Sequence, residues 1–146
     1  MFPQTNINDI THVIQLAIAP VFLLTAVGTI IGVMVNRLAR IVDRIRVLED
    51  MLRDGNPEEL KREQDELELL ARRLRLIYLA VTCAVLCALF VGLLIAVAFV
   101  DAFMSINLAK LVGVLFALAM LSFITSLIVF LREIFLAVVS TRKTMH

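Results

Sequence analysis

The side chains in this chain that could do chemistry lie along one face of its first apolar segment. With about 100° per residue and Thr25 as origin, Thr29, Gly32, Asn36 and Asp43 fall within about 40°, and Gln15, Gly28 and Arg40 within about 80°. Rings of hydroxyl and amide groups can replace part of an ion's hydration shell, and an arginine ring at one mouth would favour anions. The same groups can instead join helices: threonine and glycine are enriched where membrane helices meet, and Gly28 and Gly32 have the GxxxG spacing that lets backbones approach. Acyl chains are the costliest neighbour for Asn36 and Gln15. Gln15, Thr25, Gly28, Thr29, Gly32, Asn36 and Arg40 are therefore the candidate pore-lining or oligomer-interface residues.

Elsewhere the chemistry is sparse. His12 and His146 stand at opposite ends of the chain, and no serine or cysteine has a plausible base beside it. Cys83 and Cys87 lie four residues apart in an apolar run, a poor geometry for a disulfide. Packing thiols are the simpler reading of the pair, a metal or redox role the sharper one. Neither a Gly-rich phosphate loop nor a zinc spacing is present. The apolar segments contain no acidic residue to serve a proton relay, and Arg132-Glu133 is expected at the inner membrane boundary, facing the interface. An enzyme, a cofactor and a metal are not expected. Three spans without inverted repeats also offer no alternating-access pair for a carrier. A net charge of +1 gives no nucleic-acid surface.

The elements that position these residues follow from hydropathy. The 146 residues are 61% hydrophobic, with a mean hydropathy of +0.96, more apolar surface than a soluble domain of this size can bury. Apolar runs cover about Val13 to Val35, Leu76 to Val100 and Leu111 to Leu131. Each supplies the about 20 residues needed to cross about 30 Å of hydrocarbon, and lipid cannot hydrogen-bond a backbone, so each must be a helix. Met1 to His12 carries no lysine or arginine and so lacks the basic start of a cleavable signal; the first segment is expected to stay as a span. Of the 14 lysines and arginines, Lys110 alone falls on the side of the amino terminus and the second connection. The amino terminus and the 101–110 loop are therefore expected outside, with the 37–75 connection and the carboxyl terminus inside.

That connection carries its own helical pattern. Leu38, Ile41, Ile45, Leu48 and Leu52 recur at spacings of three and four, as do Leu60, Leu67, Leu70, Leu74 and Ile77 with Glu63 filling a gap. These are coiled-coil seams. Between them, Gly55 can end one helix, Asn56 can cap the next, Pro57 suits its first position and Glu59 the capping-box position. The expected fold is all-α: three transmembrane helices, with helices 1 and 2 extended into a cytoplasmic antiparallel coiled-coil hairpin. The divisions are 1–36 for the external terminus and first span, 37–75 for the hairpin, 76–100 for the second span, 101–110 for the external loop, and 111–146 for the third span and cytoplasmic end. The hairpin is basic near the membrane (Arg37, Arg40, Arg44, Arg46, Arg72, Arg73, Arg75) and acidic toward its tip (Glu49, Asp50, Asp54, Glu58, Glu59, Glu63, Asp65, Glu66, Glu68). The collar suits anionic headgroups. The acidic tip reads as a solvated surface or as a docking site for a basic cytoplasmic partner or divalent cations. Helix 2 places a small residue at every fourth position from Ala80 to Ala96. Ala88 and Gly92 are expected on the seam, accepting Leu23, Val27, Ile30 or Met34. Pro20 is read as a tolerated kink or as a hinge near an external mouth.

The run Ile18-Ala19-Pro20-Val21-Phe22-Leu23-Leu24, continuing through Gly28 and Gly32 to Asn36-Arg37 and followed by the charged hairpin, resembles the domain of unknown function 2721 family. The resemblance covers most of the chain. It implies a multi-pass protein of a bacterial cytoplasmic membrane and supplies no catalytic residues. In topology alone the chain is also similar to proton-channel subunits of the TolQ and ExbB type, whose motifs in helices two and three it lacks. The expected function is a homo-oligomeric membrane protein, an ion channel with its pore lined by helix 1. The alternative is a non-conducting scaffold or accessory subunit that docks a partner through the hairpin.

Overall fold

The computed structural model describes residues 7–54, 57–104 and 107–143, and these form three helices: α1 (Ile7–Asp54), α2 (Pro57–Met104) and α3 (Ala109–Lys143). All three are long and apolar enough to cross a membrane. At about 1.5 Å per residue, 48-residue helices such as α1 and α2 run about 72 Å, well beyond about 30 Å of hydrocarbon. No Gly-Pro break interrupts either helix where the apolar run gives way to arginines. α1 also continues through Pro20, whose side chain is buried. α2 opens on Pro57, which tolerates the first helical position because its missing N–H would have no partner there. The turn at Gly55, the cap at Asn56 and the capping-box contact of Glu59 lie outside the described residues or side chains. α2 runs on to Met104, through residues that hydropathy assigned to the second connection.

The helices contribute to two compact units. One comprises residues 1–30 and 84–124. Among its described side chains, Pro20, Val27, Ala84, Cys87, Val91, Leu94 and Ala119 are buried. On α2 these fall at steps of three and four, the stripe of a helix with one buried face. At the end of α2, a carboxylate oxygen of Asp101 accepts a hydrogen bond from the Leu108 N–H at 3.0 Å, and the Val112 N–H donates to the Leu108 carbonyl at 3.1 Å. The first satisfies a donor ahead of α3 that the helix cannot reach, and the second is the helix's own first i to i−4 bond, accepted by the capping residue.

The other unit comprises residues 31–83 and 125–146. Ile41 and Leu48 of α1 are buried with Leu70 and Ile77 of α2, and Leu38, Ile45, Leu67, Leu74 and Val81 pack against them. Arg44 pairs with Glu66 at 3.0 Å, and Arg37 and Arg73 share one carboxylate. Rising numbers on α1 thus meet falling numbers on α2, so the two legs are antiparallel.

The row of small residues on α2 differs from its expected placement. Ala80 and Ala84 are buried, but Gly92 is exposed with nothing within 4 Å of where a Cβ would stand, and Ala96 is exposed. Cys87, Val91 and Leu94 occupy the buried face instead. Each four-residue step overshoots a full turn by about 40°, so such a row rotates off a straight seam within three steps.

Candidate functional site

The polar stripe of α1 is uncovered. Gln15, Thr25, Gly28 and Thr29 of the first unit are exposed, as are Gly32, Asn36 and Arg40 of the second. No atom lies within 4 Å of the Cβ positions of Gly28 and Gly32, so neither glycine is needed for a close approach within one chain. The Thr25 hydroxyl donates to the Val21 carbonyl at 3.2 Å, and the Thr29 hydroxyl to the Thr25 carbonyl at 3.0 Å. Each threonine therefore spends its proton on its own helix and keeps its lone pairs free. Among the described residues these seven meet no other functional group; they share a face of α1.

A second constellation, not expected from the sequence, joins all three helices in the unit formed by residues 31–83 and 125–146. On α3, Ser126 and Glu133 of this unit stand seven residues apart and are both buried, and Ala119, seven residues before Ser126 on the same helix, is buried in the other unit. Seven residues are close to two turns, so they share a face. Ser126 donates its hydroxyl proton to the Ala80 carbonyl of α2 at 2.7 Å. Two turns further, the Glu133 carboxylate has no exposed surface. Its Oε2 accepts from Arg37 Nη1 of α1 at 2.6 Å. Its Oε1 accepts from Arg73 Nε and Nη2 of α2 at 3.1 and 2.9 Å. The Arg37 guanidinium also stands over the Phe130 ring, 5.6 Å from its centroid, which places a cation on the electron-rich face of the ring. The arginine side chains keep partial access to solvent, 36% for Arg37 and 20% for Arg73.

At the end of the third apolar run Glu133 turns inward and is fully buried. The run ends beside a buried acid that is satisfied by cations from the two other helices. Charge-assisted bonds of this kind are the strongest hydrogen bonds a protein makes, and a buried carboxylate persists only when so paired. With both oxygens engaged by guanidinium donors, Glu133 is built to hold three helices at one level. The signal that could have exposed it is the seven-residue series Ala119, Ser126, Glu133, small, polar and acidic on one face. Its neighbour Arg132 is exposed, and among the described residues no carboxylate pairs with it. Among the described residues no group of three His, Cys, Asp or Glu side chains could hold a metal ion.

A family model described as "Protein of unknown function (DUF2721)" matches residues 17–143, which include the whole α1 stripe except Gln15 and all three members of the charge cluster. The chain belongs to that family. No curated protein and no solved structure matches it.

Proposed function

For this member of the DUF2721 family we propose a homo-oligomeric membrane assembly in which α1 of each subunit faces its neighbours, with the α1 helices lining a central ion pathway. The observation that carries this reading is the exposure, in a single chain, of all seven stripe residues, Gln15, Thr25, Gly28, Thr29, Gly32, Asn36 and Arg40. Amide groups left against hydrocarbon are costly, and glycines with open flanks offer a second helix close approach. The subunit is oriented with its amino terminus outside and its carboxyl terminus inside a bacterial cytoplasmic membrane, on the distribution of lysine and arginine. The antiparallel legs form a cytoplasmic coiled-coil hairpin. Light scattering of the purified protein in detergent tests the assembly: wild type forms a multimer, and Gly28→Leu with Gly32→Leu yields a monomer of unchanged helicity. A monomeric wild type removes the proposal. Planar-bilayer recordings test conduction. Absence of current across salts and voltages, or current unchanged by Asn36→Leu, rules out the pathway.

A second reading, a non-conducting scaffold whose hairpin docks a cytoplasmic partner, draws support from the threonines. Their protons are already bonded to Val21 and Thr25, which suits a dry contact between helices. In that case Gly28→Leu still disrupts the multimer, no current is recorded, and deletion of residues 46–68 abolishes recovery of one cross-linked cytoplasmic protein.

A further inference from the structure

Arg132 is left over from the charge cluster and stands in an apolar groove. The groove has a volume of about 400 Å³ and is lined by Leu76 of α2 and Arg132, Phe135, Leu136 and Val139 of α3. Apart from the guanidinium its walls are aliphatic or aromatic. Phe135 and Val139 are more than half exposed, at 63% and 56%. Arg37 and Arg73 share Glu133, so the cluster already carries one excess positive charge, and the unpaired Arg132 adds another.

The level of the groove follows from contacts within this unit and from the charge-free run along α3. Arg37, Arg73 and Glu133 meet at one height. No charged residue lies between Lys110 and Arg132, a stretch of about 33 Å at 1.5 Å per residue, close to the thickness of the hydrocarbon layer. Arg132 therefore stands at its edge. Leu76 lies three residues from Arg73 toward the apolar run, about 4.5 Å, and Val139 six residues from Glu133 the other way, about 9 Å. The groove runs from the hydrocarbon edge through the headgroup layer, which is about 5–7 Å deep on each side.

We infer that this groove is a binding site for an anionic phospholipid, its phosphate in the headgroup layer on the outward-reaching Arg132 guanidinium, its glycerol esters against Phe135 and Leu136 and the start of an acyl chain against Leu76. A cation flanked by apolar walls at this level matches both parts of such a lipid. A free phosphate would leave the walls wet, and a zwitterionic lipid would bring its own cation toward an already positive site. The inference rests on membrane crossing and is independent of how α1 is used.

Native mass spectrometry of the full-length protein released from detergent, titrated with phosphatidylglycerol or phosphatidylcholine, tests it. Wild type is expected to retain phosphatidylglycerol in preference, and 10 mM inorganic phosphate is not expected to displace it. Arg132→Gln should lower retention about fivefold, the effect of one arginine near an anionic lipid surface. Leu136→Asn should lower it without changing charge, and Arg75→Gln should leave it near wild type. Circular dichroism checks that each variant is folded. Equal retention of the two lipids, or retention unchanged in both Arg132→Gln and Leu136→Asn, overturns the inference. So does a Val139→Cys adduct to a second copy in bilayers, which would make the groove a subunit contact.

Discussion

Replacing Glu133 with glutamine should be the most damaging near-isosteric change in the chain. Glutamine fills the same volume, so no cavity opens, and the whole effect comes from charge and hydrogen bonding. Glu133 is fully buried and accepts three bonds from two guanidiniums. Removing one partner of a buried ion pair typically costs about 3–5 kcal/mol, because the other partner is left charged and unmatched. Here both survivors retain some water, with Arg37 36% and Arg73 20% exposed, which screens them and lowers the figure to about 2–3 kcal/mol. The assay is reversible unfolding in mixed micelles at rising sodium dodecyl sulfate, followed by helical circular dichroism. A companion variant separates charge from packing. Converting the cluster together to Arg37→Met, Arg73→Leu and Glu133→Leu removes every uncompensated charge and should cost less than Glu133→Gln alone, a strongly non-additive result. If Glu133→Gln changes stability by less than about 0.5 kcal/mol, the range of ordinary surface substitutions, the cluster does not hold the helices together.

Two further outcomes follow from the packing. Ser126→Ala removes the 2.7 Å bond to the Ala80 carbonyl and should cost about 1 kcal/mol in the same unfolding assay, with no change in helicity. Leu48→Ala empties a fully buried position between the antiparallel legs and should cost about 2–5 kcal/mol, with amide exchange accelerated in residues 41–48 and 67–77.

Three helices and the family were legible because both are written in long contiguous runs. Length and apolarity decide that a segment spans, and neither depends on what the segment touches. The charge cluster was harder to see because its members are 60 and 96 residues apart and none looks unusual alone. An arginine at the end of an apolar run is ordinary, and Arg132-Glu133 reads as a pair at a water interface. Only the rotation of α3 that buries Ser126 also turns Glu133 inward and leaves Arg132 outside. The small residues of α2 misled for a related reason: a four-residue repeat is conspicuous in the sequence, but a straight seam follows steps that alternate three and four. The α1 stripe was readable as a face, and in a single chain that face meets no partner group among the described residues.

The cluster also divides the arginines of its unit into two kinds, and this division can be tested at one atom pair. Arg73 presents Nε and Nη2 to the same oxygen of Glu133, whereas Arg37 contributes a single bond through Nη1. Arg40 and Arg132 are exposed and have no carboxylate partner among the described residues. If charge alone mattered, lysine would serve equally at all four positions. The fork of a guanidinium fixes orientation as well as charge, and an ammonium cannot reproduce its two parallel donors. Arg73→Lys should therefore lose about 1–2 kcal/mol in the unfolding assay while keeping the net charge, and Arg37→Lys should lose less. Arg40→Lys should be neutral within about 0.5 kcal/mol. Equal losses at residues 73 and 40 would mean that Glu133 is held by the general field of the basic collar, and the three-helix junction would have to be argued from its apolar contacts alone.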